Sequence, residues 1–288
     1  MRWRSYLRTF ARSFKRSLKD YTVEVYVWWF AYLPTELLNI ALGLASWYYY
    51  TRFVVGPSGA GRAEWFFSYI LLGIAIVPLL DMGVEQPEMA LRRLYRGHVS
   101  TGGFRVPLWA YYYLAGVPRG VAAVSGFVFS LLQFLVRAAL YLALGVYLFG
   151  VELGPSANYA GAALICALGF LACLGVGLVL ANTFWLFIYR EDVHVNPFTW
   201  LFTTAATVLG GTYFPLEVLP AWLRPLSYAF PHAYVFEGLR KALLRGAPLE
   251  ALSRELLALT AYAAVAILLG ALLLREIERY VVYKARKV

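Results

Sequence analysis

The sequence predicts an all-α, polytopic membrane protein, and three observations support this fold class. Apolar residue types make up 61% of the 288 residues, whereas soluble domains contain roughly 45–50%. Charged residues make up only 15% of the chain, and the 26 basic side chains outnumber the 16 acidic ones. Too few polar groups remain to cover a water-soluble surface. In such a chain the basic excess indicates contact with membrane lipids rather than with nucleic acid.

Six apolar stretches have about the length needed to cross ~30 Å of membrane hydrocarbon as helices. They cover residues 27–55, 65–84, 120–149, 159–189, 195–216 and 256–274. When the connecting segments are assigned alternately to the two sides of the membrane, 18 of the 26 basic residues fall on one side. The positive-inside rule makes that side cytoplasmic. We therefore expect a multi-pass protein of the cell membrane with both termini in the cytoplasm.

Residues 1–22 predict an amphipathic helix on the cytoplasmic membrane surface, separate from a six-helix transmembrane domain of residues 23–288. Aromatic and leucine side chains recur every three or four residues from Trp3 to Tyr21, and seven basic residues fall on the opposite face. Such a helix buries its rings in the interface and holds its cations at lipid phosphates. A helix packed on a partner protein is the alternative interpretation.

Residues 86–97 predict a short helix in the cytoplasmic loop between the second and third spans. Acidic residues and Pro87 stand at its start, and arginines followed by Gly97 stand at its end, which is the order that favours a helix. The helix has a small apolar face, and it is either plain loop structure or a docking element for a cytosolic partner. Its candidate docking residues are Glu88, Leu91, Arg92, Arg93, Leu94 and Tyr95.

Residues 217–246 cannot form a continuous span, because prolines at positions 220, 225 and 231 interrupt any helix. The aromatic side chains of this segment still favour contact with a membrane. We expect short, broken, re-entrant helices that dip into the outer interface without crossing. Five basic residues lie between the fifth and sixth spans, on the outer side, and we expect them at lipid headgroups.

The spacing of motifs in this region resembles the signature of the ABC type-two export permeases. Leu219-Pro220 is followed, after ten residues, by Pro231-His232-Ala233-Tyr234 and, after five more, by Arg240. Residues 211–215 and the helix of residues 86–97, which stands where that family has its coupling helix, are also similar to the family. His232 departs from the pattern, since the family usually has an apolar residue or threonine there. The signature residues are Pro220, Pro231, Tyr234 and Arg240.

The resemblance implies the transmembrane subunit of an ATP-driven exporter. Such a subunit pairs with a second permease subunit, identical or paralogous, and with two cytosolic ABC ATPase subunits. The sequence contains no Gly-x-x-x-x-Gly-Lys-Ser/Thr phosphate loop. We therefore expect no cofactor on this chain and place ATP and Mg on the ATPase. Movement of the coupling helix would open a path between the first, second and fifth spans for a lipid-linked glycan, a lipid or a hydrophobic drug.

Polar and aromatic residues inside the spans are the candidates for a translocation path, because a charge at mid-membrane costs about 2.5–3.5 kcal/mol. These candidates are Glu36, Asn39, Trp47, Tyr48, Arg137, Tyr213 and Phe214. Two interpretations of the polar ones stay open: a polar path, or contacts between subunits, for example Glu36 neutralising Arg137. The aromatic ones equally fit an ordinary interfacial belt. Asp81, near the cytoplasmic end of the second span, and Asn182 are further polar residues.

The alternative to a permease is a stand-alone secondary carrier or an integral membrane enzyme. The three histidines are scattered without metal-ligand spacing, so no metal is expected, and there is no Ser-His-Asp grouping. Proton coupling would need more carboxylates in mid-membrane than the sequence holds. A neighbouring reading frame that encodes an ABC ATPase would favour the permease.

Overall fold

The computed structural model describes residues 33–55, 60–96, 98–101, 104–107, 119–151, 156–187 and 196–285, together with the single positions 11 and 110. The predicted interfacial helix of residues 1–22 lies outside these residues. The described chain is predominantly helical, as the sequence predicted. Three helical stretches are long and apolar enough to cross a membrane: Ala63–Arg92, Tyr159–Trp185 and Leu249–Arg275.

The described residues form eight α-helices. They are α1 (Leu33–Val55), α2 (Ala60–Arg96), α3 (Arg119–Phe149), α4 (Tyr159–Ala181), α5 (Pro197–Leu209), α6 (Arg224–Ser227), α7 (Pro231–Leu244) and α8 (Ser253–Ala285). Three 3-10 turns, Asn182–Phe187, Leu216–Val218 and Leu249–Leu252, accompany them. The sequence did not predict the hairpin that follows α2, in which β1 (His98–Thr101) pairs antiparallel with β2 (Phe104–Pro107).

Helix α2 differs from the sequence prediction because it runs without a break through Pro78 and Pro87. The second span and the predicted separate helix of residues 86–97 are therefore parts of one element. Pro87 cannot donate to the carbonyl of Gly83, which should weaken the helix there. Close packing against α4 offsets this loss, since a Cβ on Gly177 would lie only 2.7 Å from that carbonyl oxygen. Helices in membranes tolerate proline where a neighbouring helix supports the freed group.

Helix α4 is the centre of the fold, and α2, α7 and α8 pack around it. The largest buried cluster includes Leu80, Ile165 and Phe236, one from each of α2, α4 and α7. Between α4 and α8 the backbones themselves meet. A Cβ on Gly175 would lie 2.8 Å from the backbone nitrogen of Ile267. Small residues allow this close approach, which is a common way for helices to associate in membranes.

A second cluster joins α1, α2 and α3. Its fully buried side chains include Ile40, Phe67 and Leu71, which interlock near the N-terminal half of α2. Apolar packing of this kind fixes the orientation of α1, whose remaining face is largely exposed. The polar and aromatic residues of α1 are thereby held in defined positions relative to α2 and α3.

Helix α5 is shorter than the predicted span of residues 195–216, because it ends at Leu209 after 13 residues. Gly211 then adopts a φ of +81°, a conformation that favours glycine and turns the chain away from the helix axis. The following segment forms only short helices, as its prolines predicted. Pro231 opens α7, a position where its missing N–H removes no helical hydrogen bond.

Candidate transport site

The C-terminal end of α2 is joined to the first turn of α5 by the carboxylate of Glu88. Its Oε2 accepts a hydrogen bond of 2.9 Å from the Thr199 hydroxyl, and its Oε1 accepts one of 2.7 Å from Nε of Arg92. Glu88 is buried, with only 4% of its surface exposed. The sequence predicted that this residue docks a partner. In the structure both of its carboxylate oxygens bond within the chain, as a buried carboxylate requires.

Leu91, a second predicted docking residue, also faces inward. It is buried against Ala181 and Phe184, at the end of α4. One turn further along α2, the ring of Tyr95 lies 4.9 Å from the ring of Trp185. Glu88 and Leu91 therefore make their contacts within the chain, and docking by this part of α2 stays a prediction. Arg92, Leu94 and Tyr95 are half-buried, and the side chain of Arg93 lies outside the described residues.

Asn196 fixes the start of α5. Its side-chain oxygen accepts a hydrogen bond from the backbone N–H of Phe198, which caps the helix. Its side-chain nitrogen donates to the Thr183 hydroxyl over 2.6 Å. The start of α5 is thus bonded both to α2, through Glu88, and to the turn that follows α4.

Arg240 of α7 holds the other end of α5. Its guanidinium donates to the backbone carbonyls of Gly211, Thr212 and Tyr69 over 2.6, 2.8 and 3.1 Å. The end of a helix leaves carbonyl groups without an N–H partner, and each such group is costly where water is excluded. One guanidinium therefore supplies three donors where the chain breaks and ties α7 to α2 as well.

The same guanidinium lies against aromatic rings. The Cζ atom of Arg240 is 3.2 Å from the ring centroid of Tyr69 and 5.4 Å from that of Phe236. Burial lowers the pKa of Arg240 to about 10. The side chain therefore stays charged at neutral pH, and its charge is balanced by carbonyl dipoles and ring faces.

The other residues of the predicted signature shape the short helices. The carbonyl of Pro220 accepts hydrogen bonds from the backbone N–H groups of Leu223 and Arg224 and so starts a tight turn. Pro231 is the first residue of α7, and the half-buried ring of Tyr234 lies 5.5 Å from that of Tyr228.

Comparison with known families identifies this region. Residues 107–244, a little under half of the chain, match the family model of the ABC-2 type transporters. This region is similar to the ABC-2 type transporter domain. The match confirms the family resemblance seen in the sequence, and it ends at Leu244, which is also the last residue of α7. No curated protein matches the chain.

Several basic residues in and beside the matched region make contacts within the chain. Arg224 donates to two backbone carbonyls in its own segment. Lys241 donates to Glu255 over 2.7 Å and lies 3.4 Å from Glu237. Burial alone would lower the pKa of Lys241, but these two carboxylates raise it. Arg254 stacks over the ring of Tyr228 at 5.3 Å. Arg224, Arg245 and Arg254 are exposed, so their placement at lipid headgroups stays a prediction.

Glu36 of α1 and Arg137 of α3 form an ion pair of 2.8 Å. The two charges neutralise each other within one chain, whereas the sequence suggested this pair as an example of a contact between subunits. Both charges lie in predicted spans, and pairing reduces their cost in a membrane. Asn39, a third polar candidate on α1, is exposed.

The aromatic path candidates separate into two groups. Trp47 of α1 and Tyr213, just beyond α5, stack with centroids 5.6 Å apart and an interplanar angle of 14°. Tyr48 instead packs into the second cluster, with its ring 5.3 Å from both Phe67 and Phe149. Phe214 is half-buried. The structure thus brings Trp47 and Tyr213 together and assigns Tyr48 to the core.

Sequence reasoning missed the pairing of Asp81 in α2 with His232 in α7. His232 is fully buried, and its Nε2 lies 3.6 Å from Oδ1 of Asp81. Each residue gave a signal by itself: an acid inside an apolar span, and a histidine where the family usually has an apolar residue. Their separation of 151 positions kept the two signals apart.

A cavity of about 210 Å³ lies beside the broken segment, between α2 and α7. Trp65, Tyr69, Glu237 and Lys241 are among its lining residues. Ligand pockets usually measure ~300–1,000 Å³, so this cavity is too small to hold an entire amphipathic molecule. In the part of the chain that the structure describes, no three His, Cys, Asp or Glu residues are grouped to bind a metal ion.

Proposed function

We propose that this chain is the transmembrane permease subunit of an ATP-driven ABC exporter, which moves an amphipathic molecule out of the cytoplasm. The ABC-2 domain supports a role in membrane transport, and the family implies association with an ABC ATPase. The observation that carries the proposal is the bond between Glu88 and Thr199. It joins the end of α2, where a cytosolic partner would act, to the first helical turn of α5.

A displacement at the end of α2 would reach the broken segment through α5. Glu88 bonds the start of α5, and Arg240 bonds the carbonyls just beyond its end. Chains of hydrogen-bonded and packed side chains are the physical means by which distant sites influence each other. The helix between the two contacts has only 13 residues, which is about 20 Å at 1.5 Å per residue. We therefore assign the transmission of ATP-driven movement to α5.

The proposed topology has six crossings with both termini in the cytoplasm of a multi-pass cell-membrane protein. Support comes from the three long apolar helical stretches and from the unequal distribution of basic residues. Residues 1–22 would lie on the cytoplasmic surface, and α6 and α7 would enter the outer interface. The crossings are the segments predicted at residues 27–55, 65–84, 120–149, 159–189, 195–216 and 256–274.

The functional assembly in this proposal contains two permease subunits and two cytosolic ATPase subunits, surrounded by membrane lipids. The second permease subunit is a second copy or a paralogue, and a two-fold axis would relate the pair. ATP and Mg bind to the ATPase subunits. The stacked rings of Trp47 and Tyr213 favour an amphipathic substrate such as a lipid-linked glycan, a lipid or a hydrophobic drug.

Co-purification with an ABC ATPase, sought first among the neighbouring reading frames, tests the proposal. Met89 is 44% exposed, on the part of α2 that would dock the ATPase, and Leu226 is 49% exposed in the outer segment. We expect Met89→Glu to reduce recovery of the ATPase at least tenfold and Leu226→Glu to leave it unchanged. Substrate movement by the purified chain without any ATPase would instead support a secondary carrier. Equal ATPase recovery with both variants would contradict docking at α2.

A further inference from the structure

Asp81 lies deep within the candidate span Ala63–Arg92. This span has 30 residues, or ~45 Å as helix, which matches the ~40–45 Å thickness of a bilayer with its headgroups. In the proposed crossing of residues 65–84, Asp81 lies ~10 Å along the helix axis from the middle, toward the cytoplasmic end and still within the ~30 Å hydrocarbon layer.

The carboxylate of Asp81 is partly open at this depth. Its side chain is 26% exposed, while Oδ1 is buried without a hydrogen-bond partner among the described residues. Acidic side chains near mid-membrane face the interior of a bundle or a water-filled path, because contact with lipid tails is unfavourable. The open side of Asp81 therefore faces a path or another protein chain.

His232 is aimed at this carboxylate from the buried side. It is 0% exposed, and neither ring nitrogen has a hydrogen-bond partner in the described part of the chain. Its Nε2 lies 3.6 Å from Oδ1 of Asp81. The rings of Phe202 and Phe236 border the imidazole at 6.4 and 6.3 Å. Held by these apolar neighbours, His232 has Asp81 as its nearby polar group and is suited to positioning it.

The surroundings of Asp81 on its other sides suit a positive charge. Glu85, one turn along α2, is exposed and interacts with Asp81. Within the described residues, neither acid forms an ion pair with lysine or arginine.

We propose that Asp81 binds a positively charged group of the transported molecule, with His232 as the positioning residue, and that the substrate is an amphipathic organic cation. This inference rests on the proposed transport function and specifies its substrate class. An anionic amphiphile would meet two carboxylates that have no lysine or arginine partner among the described residues, and these would repel it. A cation gains a contact with the partly open carboxylate of Asp81.

Binding of two hydrophobic ions of the same shape and opposite charge tests the proposal. The full-length chain in lipid nanodiscs is titrated with tetraphenylphosphonium and with tetraphenylborate by equilibrium dialysis. We expect saturable binding of the phosphonium only. Asp81→Asn should weaken it about tenfold, and Asp81→Glu should keep it within about threefold. Glu217→Gln, the same charge change at an exposed outer residue, should have no effect. Unchanged phosphonium binding by Asp81→Asn, or equal binding of the borate by the unaltered chain, would overturn the proposal.

Two variants at position 232 test the positioning role. His232→Gln keeps a hydrogen-bond donor, whereas His232→Phe keeps a ring and removes the donor. We expect the Phe variant to bind phosphonium several-fold more weakly than the Gln variant. A purely structural histidine would give the reverse order, because Phe suits an apolar site better. ATPase recovery is measured with the same proteins. If no ATPase co-purifies, but phosphonium binding is lost in Asp81→Asn and kept in Asp81→Glu, the exporter assignment is wrong and the cation site is supported.

Discussion

Arg240 contacts Tyr69 twice: it donates a hydrogen bond to the Tyr69 carbonyl over 3.1 Å and places its guanidinium 3.2 Å from the centroid of the ring. The two residues are 171 positions apart and connect α7 to α2. The same guanidinium also holds the carbonyls of Gly211 and Thr212. The broken segment that follows α5 is therefore fixed by a charged side chain as well as by apolar packing.

Loss of Arg240 should destabilise the fold severely. Arg240→Met keeps much of the apolar volume but leaves three buried carbonyls with fewer donors, at about 1–3 kcal/mol for each unsatisfied group. Arg240→Lys should be intermediate, since one ammonium cannot reproduce the fork of donors. The matched control is Arg245→Met, at an exposed arginine just after α7. Size-exclusion chromatography after a temperature series measures the effect, and equal midpoints for Arg240→Met and Arg245→Met would contradict it.

The bond between Thr199 and Glu88 should matter for both stability and coupling. Thr199→Val keeps the shape of the side chain but leaves a buried carboxylate oxygen unsatisfied, which costs about 1–3 kcal/mol. Thr260→Val is the control, because the exposed Thr260 hydroxyl bonds only within its own helix. We expect a lower unfolding midpoint and reduced substrate stimulation of the co-purified ATPase for Thr199→Val alone. Normal stimulation would exclude this bond from the transmission of movement.

Alanine substitutions at two glycines in adjacent helices should change the stability of the protein in different ways. A Cβ on Gly73 of α2 would collide with the Thr212 carbonyl, whereas a Cβ on Gly43 of α1 would meet nothing within 4 Å. Gly73→Ala should therefore destabilise the protein by about 1–3 kcal/mol through overpacking. Gly43→Ala should be neutral or stabilise it by up to about 1 kcal/mol, because alanine favours helices. The thermal unfolding midpoints of both variants test this prediction. A higher midpoint for Gly73→Ala than for Gly43→Ala would show that α2 does not approach Thr212 this closely.

The ion pair between Glu36 and Arg137 should show strong coupling in a double-mutant cycle. Glu36→Gln alone leaves the Arg137 charge without its partner in a predicted span, which is costly in a membrane. Glu36→Gln with Arg137→Gln removes both charges and should recover much of the lost stability. The expected order of unfolding midpoints is unaltered protein, then double variant, then Glu36→Gln. Additive effects would indicate that the two side chains do not interact.

The sequence predicted features that depend on local composition. Uninterrupted apolar residues made α4 and α8 recognisable, and prolines at positions 220, 225 and 231 predicted a segment of short helices. The stated signature also pointed to Arg240 as a residue of interest. Each of these features follows from residues close together in the chain, where length, proline and hydropathy have direct consequences.

The roles of individual side chains depended on contacts that local patterns do not encode. Glu88 looked like a surface residue because it stands among arginines, but its partner Thr199 lies 111 positions away. Pro87 looked like the start of a helix because proline suits a first turn, yet α4 supports α2 through that point. His232 departed from the apolar residue or threonine expected at its position, and its neighbour Asp81 comes from a distant helix. In each case a neighbour from a distant part of the chain overrode the local tendency.

The glycine contacts between α4 and α8 restrict where the protein can open. At Gly175 and Gly270 no layer of side chains separates the two helices, and separating them would expose backbone-to-backbone contact over a long seam. We therefore expect these two helices to stay together, and a path for a crossing molecule to lie elsewhere in the bundle.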